Sequence, residues 1–219
     1  MRTRQRTLTG RDQAASAFGG ILLKLCDSVG SPMAALVDAE GETVDYAGTH
    51  QPFDIRVAAA EWQLAIRALR GCPIPGWNDA HMMLVRGSRK SFSIAMLEEG
   101  YAIVVELSTH AFAISHRALG EAIRELCWEA GLEVPAAYLA VGNWTRVEVK
   151  TSPFSERKPD AVWFAGGWCP LELLGRYADA DLGSGELGYR VRLVTGAEVN
   201  LVRERLGRWY AEDLPVFRM

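Results

Sequence analysis

The sequence predicts an α+β fold, in which helices cover an antiparallel sheet and a small β-rich domain follows. Three observations support this. Asp79 to Ser108 holds three strand-length apolar runs, joined by the turn-like segments Gly87–Lys90 and Glu98–Gly100. Helical periodicity appears both before and after this meander. After Glu133 the pattern changes to short strands separated by turn clusters.

The first part of the chain has the order α-β-β-α-β-β-β-α. Apolar residues at helical spacing predict the helices, and Gly30-Ser31-Pro32 ends the first of them. An acidic-glycine turn predicts a hairpin between the first two strands. The predicted elements are Asp12–Val29, Met33–Asp38, Thr43–Ala47, Ile55–Arg70, His81–Arg86, Phe92–Leu97, Ala102–Leu107 and Thr109–Leu132.

The second predicted helix is apolar on two sides. A helix of this kind has two partners, and a single sheet supplies only one of them. We therefore expect a second copy of the chain on the other side, with a covering loop as the alternative. One stripe consists of Ile55, Trp62, Ile66 and Leu69, and the other of Val57, Leu64 and Ala68.

The part after Glu133 predicts a separate small barrel or rolled sheet. Frequent turns between short alternating runs are typical of such domains. The expected organisation is a flexible basic tail over 1–11, a helix-and-sheet domain over 12–133 and a β-rich domain over 134–219. Its predicted strands are Trp144–Lys150, Ala161–Ala165, Leu171–Gly175, Tyr189–Thr195 and Ala197–Arg203.

Composition and motifs exclude several classes of function. The net charge of −3 gives no reason to expect nucleic acid or a membrane surface as partner. No P-loop, dinucleotide-binding glycine motif or nucleophile elbow is present, and the four cysteines are too scattered for a metal site. No apolar run approaches membrane-spanning length, and no secretory signal follows the basic start. The sequence therefore predicts a cytoplasmic protein that is not an enzyme and carries no cofactor.

The hairpin LVDAEGETV, the run LEEGYAIVVEL and the order of elements resemble the roadblock / dynein light chain family over residues 12–132. The resemblance implies a roadblock-like α/β sandwich, whose five-stranded antiparallel sheet has the first and last helices on one face. It also implies a homodimer in which the second helices pair and the sheets join edge to edge through His81–Arg86.

In prokaryotes such domains regulate or scaffold Ras-like small GTPases. The resemblance therefore implies a bacterial, non-enzymatic homodimeric adaptor that binds a small GTPase or a related regulatory protein. Arginine suits a partner-binding surface because its planar fork pairs with carboxylates, although the same arginines could serve only to solubilise the helix. The expected dimer interface is Ile55, Trp62, Ile66, Leu69, Met82 and Leu84, and the expected partner-binding residues are Arg56, Arg67 and Arg70.

Two alternative functions stay open at this stage. A sheet with helices on its face can enclose a small-molecule pocket, so a sensory domain would show a closed cavity with converging polar groups. The β-rich domain could instead carry a module that binds nucleic acid or a peptide, because several tryptophans concentrate there. Those tryptophans are Trp144, Trp163, Trp168 and Trp209.

Overall fold

The structure, a computed structural model, describes residues 12, 14, 16–107, 114–139, 144–164, 166–177, 182, 185–205 and 207–212. The predicted basic tail over residues 1–11 and the start of the third predicted helix lie outside these ranges. The chain divides into two units, Met1–Leu139 and Ala140–Met219.

The first unit has the predicted order of helices and strands, with one short helix added at its end. The added helix was not predicted from the sequence. A 3₁₀ turn at Glu98–Gly100 joins the fourth and fifth strands. The elements are α1 (Ala17–Val29), β1 (Met33–Val37), β2 (Thr43–Gly48), α2 (Pro52–Arg70), β3 (Met82–Arg86), β4 (Ser91–Met96), β5 (Ala102–Glu106), α3 (His116–Ala130) and α4 (Ala136–Leu139).

Capping residues decide where α1 and α3 begin and end. The Ser16 hydroxyl accepts a hydrogen bond from the Gly19 amide at 3.1 Å, so α1 begins at Ala17 rather than at Asp12 as predicted. Ser115 caps α3 in the same way. Gly30 and Gly131 end the two helices in the left-handed region, at φ values of 68° and 70°.

The five strands form one antiparallel sheet in the order β2-β1-β5-β4-β3. Side chains alternate between its two faces. One face packs under α2 through a cluster that includes Val37, Ile94 and Val104. The opposite face, with Leu36 and Ile103, lies towards α1, which packs against α3. The sheet therefore has helices on both faces, with α1 and α3 on the same side.

The described residues of the second unit form a curled sheet of seven strands, two more than predicted. Its order is β6-β12-β11-β10-β9-β8-β7, and every pair is antiparallel. The strands are β6 (Trp144–Val147), β7 (Val149–Ser152), β8 (Ser155–Phe164), β9 (Gly167–Tyr177), β10 (Leu187–Leu193), β11 (Glu198–Arg203) and β12 (Trp209–Glu212).

The curl follows from the chain path, because β6 and β7 are consecutive in sequence yet stand at opposite ends of the sheet. Only Glu148 separates them, and its carbonyl accepts a hydrogen bond from the Trp163 amide at 2.8 Å. One extended segment thus pairs with β12 at its start and with β8 at its end. The concave side holds an apolar core around Val191, Leu201 and Trp209.

The division between the units lies six residues after the boundary predicted at 133 and 134. Tyr138 of α4 accounts for the difference. Its hydroxyl donates to the His81 carbonyl at 3.0 Å, and the two rings meet edge to face with centroids 5.8 Å apart. Burial raises the pKa of Tyr138. The segment Ala136–Leu139 is therefore tied to the first unit.

All four cysteines are free thiols. Cys26 on α1 and Cys127 on α3 are buried. Burial raises the pKa of Cys127 to about 11. Both therefore behave as small apolar side chains rather than as nucleophiles.

Candidate functional site

Helix α2 presents two apolar faces, and the sheet uses only one of them. Ile55, Ala59 and Ile66 lie in the core between α2 and the sheet. On the opposite side are Phe53, Val57 and Leu64, which we call the outer stripe. Their spacing of four and seven residues places them in one line along the helix. Phe53 is 73% exposed and Leu64 is 66% exposed, so no described part of the chain covers the outer stripe.

The predicted dimer residues of α2 do not all lie on the surface, as the sequence interpretation required. Ile55 and Ile66 are completely enclosed in the core of their own chain, and no second copy can reach them. Trp62 is half-buried and stacks on Phe92 of β4, with ring centroids 5.3 Å apart. Leu69 is also half-buried. The assignment of Ile55 and Ile66 therefore needs correction, because the sheet already covers the stripe to which they belong.

The predicted interface strand β3 is an edge of the sheet. Met83 and Val85 pack into the cluster under α2. By alternation, Met82 and Leu84 point to the other face, where Leu84 is exposed. An unpaired strand edge with apolar side chains is a surface onto which another chain can add.

Arg56 is held at the start of α2 by the segment that precedes α1. Its guanidinium donates to the Asp12 carboxylate at 2.8 Å and lies over the Tyr46 ring, 5.5 Å from the centroid. The Tyr46 hydroxyl also donates to Asp12. That hydrogen bond, with the charge of Arg56, lowers the pKa of Asp12. Arg56 is thus occupied by its own chain.

Arg67 and Arg70 lie at the other end of α2 and bind backbone carbonyls. Arg67 donates to Ala39 in the β1–β2 turn. Arg70 donates to Asn78, at 3.0 Å, in the connector that leads to β3. Both side chains remain exposed. The three predicted arginines therefore share one side of α2 but do not form a continuous band, since Arg56 is about three turns away.

The buried Gln63 separates the two ends of this arginine strip. Its amide nitrogen donates to the Asp38 carbonyl at 3.1 Å and lies 3.4 Å from the Gly100 carbonyl. It ties α2 to the β1–β2 turn and to the 3₁₀ turn. The Asp38 carboxylate shapes the first of these turns by accepting from the amides of Glu40 and Glu42. Nothing in the sequence pattern indicates this role of Gln63.

A cluster around the buried Glu106, at the end of β5, was missed by sequence reasoning. The Glu106 carboxylate accepts from the Lys90 ammonium at 3.1 Å, and the His50 ring nitrogen lies 3.1 Å from the same oxygen. Buried carboxylates need such partners. Glu106 sits in a run of apolar strand residues, so only the fold reveals its neighbours. The cluster joins β5, the β3–β4 turn and the loop before α2, and we assign it a structural role.

The described ranges contain no metal-binding geometry. No group of three or more His, Cys, Asp and Glu side chains there could hold a metal ion. A crevice between α1 and α3, bridged by Lys24 with Glu121 and Glu125, has room only for a water molecule. Along this part of the chain, no helix is both long and apolar enough to cross a membrane.

Comparison with solved structures shows a partial likeness. MglB from Myxococcus xanthus is 17% identical with a TM-score of 0.48, covering 54% of this chain and 98% of MglB. The gliding protein MglB from Thermus thermophilus is 17% identical with a TM-score of 0.45, covering 52% and 89%. A Roadblock/LC7 domain from Streptomyces avermitilis is 16% identical with a TM-score of 0.42, covering 52% and 93%.

These matches are to proteins of the kind that the sequence resemblance predicted, and each spans about half of this chain. At these identities the likeness concerns the fold alone. No protein-family model matches the chain, and no curated protein does.

Proposed function

We propose that this chain is a cytoplasmic, non-enzymatic homodimeric adaptor that binds a Ras-like small GTPase or a related regulatory protein. The observation that carries the proposal is the outer stripe of α2, which is apolar, exposed and not covered by any described part of its own chain. Exposed apolar stripes of this kind mark protein–protein interfaces. The family resemblance of residues 12–132 supports the choice of partner.

The proposed dimer interface combines the outer stripe with the open edge of β3. The outer stripe takes the place of Ile55 and Ile66, which are enclosed in the core. Helix α2 has 19 residues and is about 28 Å long, so two antiparallel copies could contact each other over most of the stripe. Pairing through β3 would also cover the exposed Leu84 edge, which otherwise favours aggregation.

Among the described residues, no specific observation favours the sensory alternative. It requires an enclosed cavity of several hundred cubic ångströms with converging polar groups. The crevice between α1 and α3 is water-sized, and its polar groups Lys24, Glu121 and Glu125 bind one another. An apolar exposed stripe is instead the feature that an adaptor needs.

The partner-binding role of the arginine strip is tested by charge reversal. Arg67→Glu with Arg70→Glu is expected to change the free energy of unfolding by about 1 kcal/mol at most, because both side chains are exposed. The same variant should weaken partner capture about tenfold or more, because a contact charge is reversed. Capture from an extract of the source cell, with GDP or a non-hydrolysable GTP analogue and identification by mass spectrometry, measures this.

The matched control is Arg157→Glu with Lys158→Glu, an exposed double charge reversal in the second unit. It should retain partner capture. If Arg67→Glu with Arg70→Glu retrieves the same GTPase as wild type, the strip is not the binding surface. If wild type retrieves no GTPase with either nucleotide, the adaptor function itself is wrong.

We further propose that the second unit is a closed barrel-like domain that folds by itself. The direct succession of β6 and β7 at the two ends of its sheet supports closure. Residues 140–219 expressed alone should give a dispersed amide NMR spectrum, whereas a collapsed spectrum would show that the unit requires the first one. Residues 134–219 serve as the comparison, because they add Tyr138, whose partner His81 is then absent.

A further inference from the structure

The second unit carries two exposed tryptophans side by side on the convex face of its sheet. Trp163 of β8 and Trp168 of β9 are direct partners across the strand pair. Their rings meet edge to face, with centroids 5.5 Å apart. Trp163 is 44% exposed and Trp168 is 37% exposed, although the concave side of the same strands holds the core. Adjacent exposed aromatic side chains form a contiguous apolar patch, and such patches mark binding surfaces more often than singly exposed residues do.

The apolar surface extends from the tryptophan pair towards β10. Pro170 lies two residues after Trp168 on the same face of β9 and is exposed. The pairing of Leu171 with Leu193 brings Pro170 next to Val194, which is also exposed. We call Trp163, Trp168, Pro170 and Val194 the tryptophan platform.

Lys150 is the cation of the tryptophan platform. Its ammonium lies over the Trp168 ring, 4.2 Å from the centroid. No carboxylate among the described residues pairs with it. This contact places the charge against the face of the Trp168 indole, where it can meet an anion that approaches along the platform.

Four other charged residues on this face of the sheet neutralise one another. Arg192 binds Glu172 at 2.9 Å and Glu198 at 3.0 Å. The hydrogen bond from Arg192 holds the pKa of Glu198 below its usual value. Arg190 binds Glu198 and Asn200. On the described part of this face, Lys150 therefore differs from Arg190 and Arg192, because its ammonium contacts an aromatic ring rather than a carboxylate.

We propose that the tryptophan platform binds a short acidic peptide segment, in which a proline or other apolar residue packs on the indoles and a neighbouring carboxylate pairs with Lys150. Charge decides between a peptide and single-stranded nucleic acid. Residues 140–219 contain eleven Lys and Arg against eleven Asp and Glu, so the unit presents no net positive field. A polyanionic strand needs a row of cations along its backbone, whereas one carboxylate needs only one. This site is independent of the function proposed for the first unit.

The test is fluorescence anisotropy with the full-length chain and three labelled probes. Two are peptide pools with randomised flanks around a fixed Pro-Glu or Pro-Gln pair, and the third is oligothymidylate. The wild type should bind the Pro-Glu pool about threefold to fivefold more tightly than the Pro-Gln pool, as expected for one half-exposed ion pair. Lys150→Gln should abolish this preference.

Truncation of the tryptophans separates a binding platform from an incidental surface. Trp163→Ser and Trp168→Ser should each weaken binding of both peptide pools about tenfold. Trp128→Ser is the matched control, because Trp128 is 87% exposed on α3 of the first unit and should not affect binding. Circular dichroism checks each variant, and Lys150→Gln tests the site even where a tryptophan variant fails to fold.

Three outcomes overturn the proposal. Equal affinity of wild type for the two peptide pools would show that Lys150 does not pair with the peptide carboxylate. Unchanged affinity in a folded Trp163→Ser or Trp168→Ser variant would show that the tryptophan platform is not the binding site. Tighter binding of oligothymidylate than of either pool, lost in the same variants, assigns the platform to nucleic acid instead.

Discussion

Ile66→Asp is expected to abolish folding of the first unit. Ile66 is 0% exposed and lies between α2 and the sheet, in the same core cluster as Ile55. The change removes a buried aliphatic side chain and places a carboxylate in an apolar cluster, at a combined cost of about 5 kcal/mol or more. Free energies of unfolding of domains are about 5–15 kcal/mol. Loss of the helical circular dichroism signal, or of a cooperative urea transition, measures the effect.

Ile66→Val is the control, since it keeps the apolar contact and should cost only about 1 kcal/mol. A folded Ile66→Asp protein that sediments as a monomer would contradict the structure. It would show that Ile66 faces a second copy of the chain, as the sequence interpretation had it. The variant therefore distinguishes a core position from an interface position on the same helix.

The two apolar faces of α2 could be predicted from the sequence, but the partner of each face could not. Periodicity correctly predicted a helix with two apolar stripes. The second partner that we inferred from them stays a prediction. Periodicity could not decide which stripe meets the sheet, because both contain large aliphatic residues at equivalent spacing. That choice depends on how α2 crosses β1, β4 and β5, which is a tertiary property. The stripe with Ile55 and Ile66 was therefore assigned to the wrong partner.

Local patterns also explain which strands were found and which were not. The meander and the first hairpin are apolar or alternating, and their predicted bounds lie within one residue of those observed. The first half of β8 was missed, because it is charged and contains Pro159. The pairing of β8 with β7 has register shifts at this point, so the proline is accommodated at an irregularity. The four-residue β12 was too short to predict.

The candidate sites depend on contacts that no spacing in the sequence reveals. Gln63 reaches two turns that are distant in sequence, and Glu106 meets partners that follow β2 and precede β4. Lys150 and Trp168 come together only because β7 and β9 flank β8. Composition indicated that tryptophans concentrate in the second part of the chain. It could not indicate that Trp209 is buried while Trp163 and Trp168 are exposed.

Leu64→Asp is expected to dissociate the dimer while leaving the fold intact. Leu64 is exposed in the isolated chain, so a carboxylate there stays hydrated and should change the free energy of unfolding of the monomer little. In a dimer built on the outer stripe, both copies would bury an unpaired carboxylate. This should raise the dissociation constant at least about a hundredfold. Sedimentation velocity at micromolar concentration should show wild type at twice 24.1 kDa and the variant at 24.1 kDa.

Leu139→Asp provides the matched comparison, because Leu139 on α4 is the same residue type and almost as exposed as Leu64. It should remain dimeric. Phe53→Asp, at the other end of the outer stripe, should behave like Leu64→Asp, since a helix-pairing interface extends along the whole stripe. Dissociation by Leu64→Asp alone would restrict the interface to the centre and C-terminal half of α2. A wild-type monomer at micromolar concentration, or a dimer that survives both changes, would show that the outer stripe serves another partner.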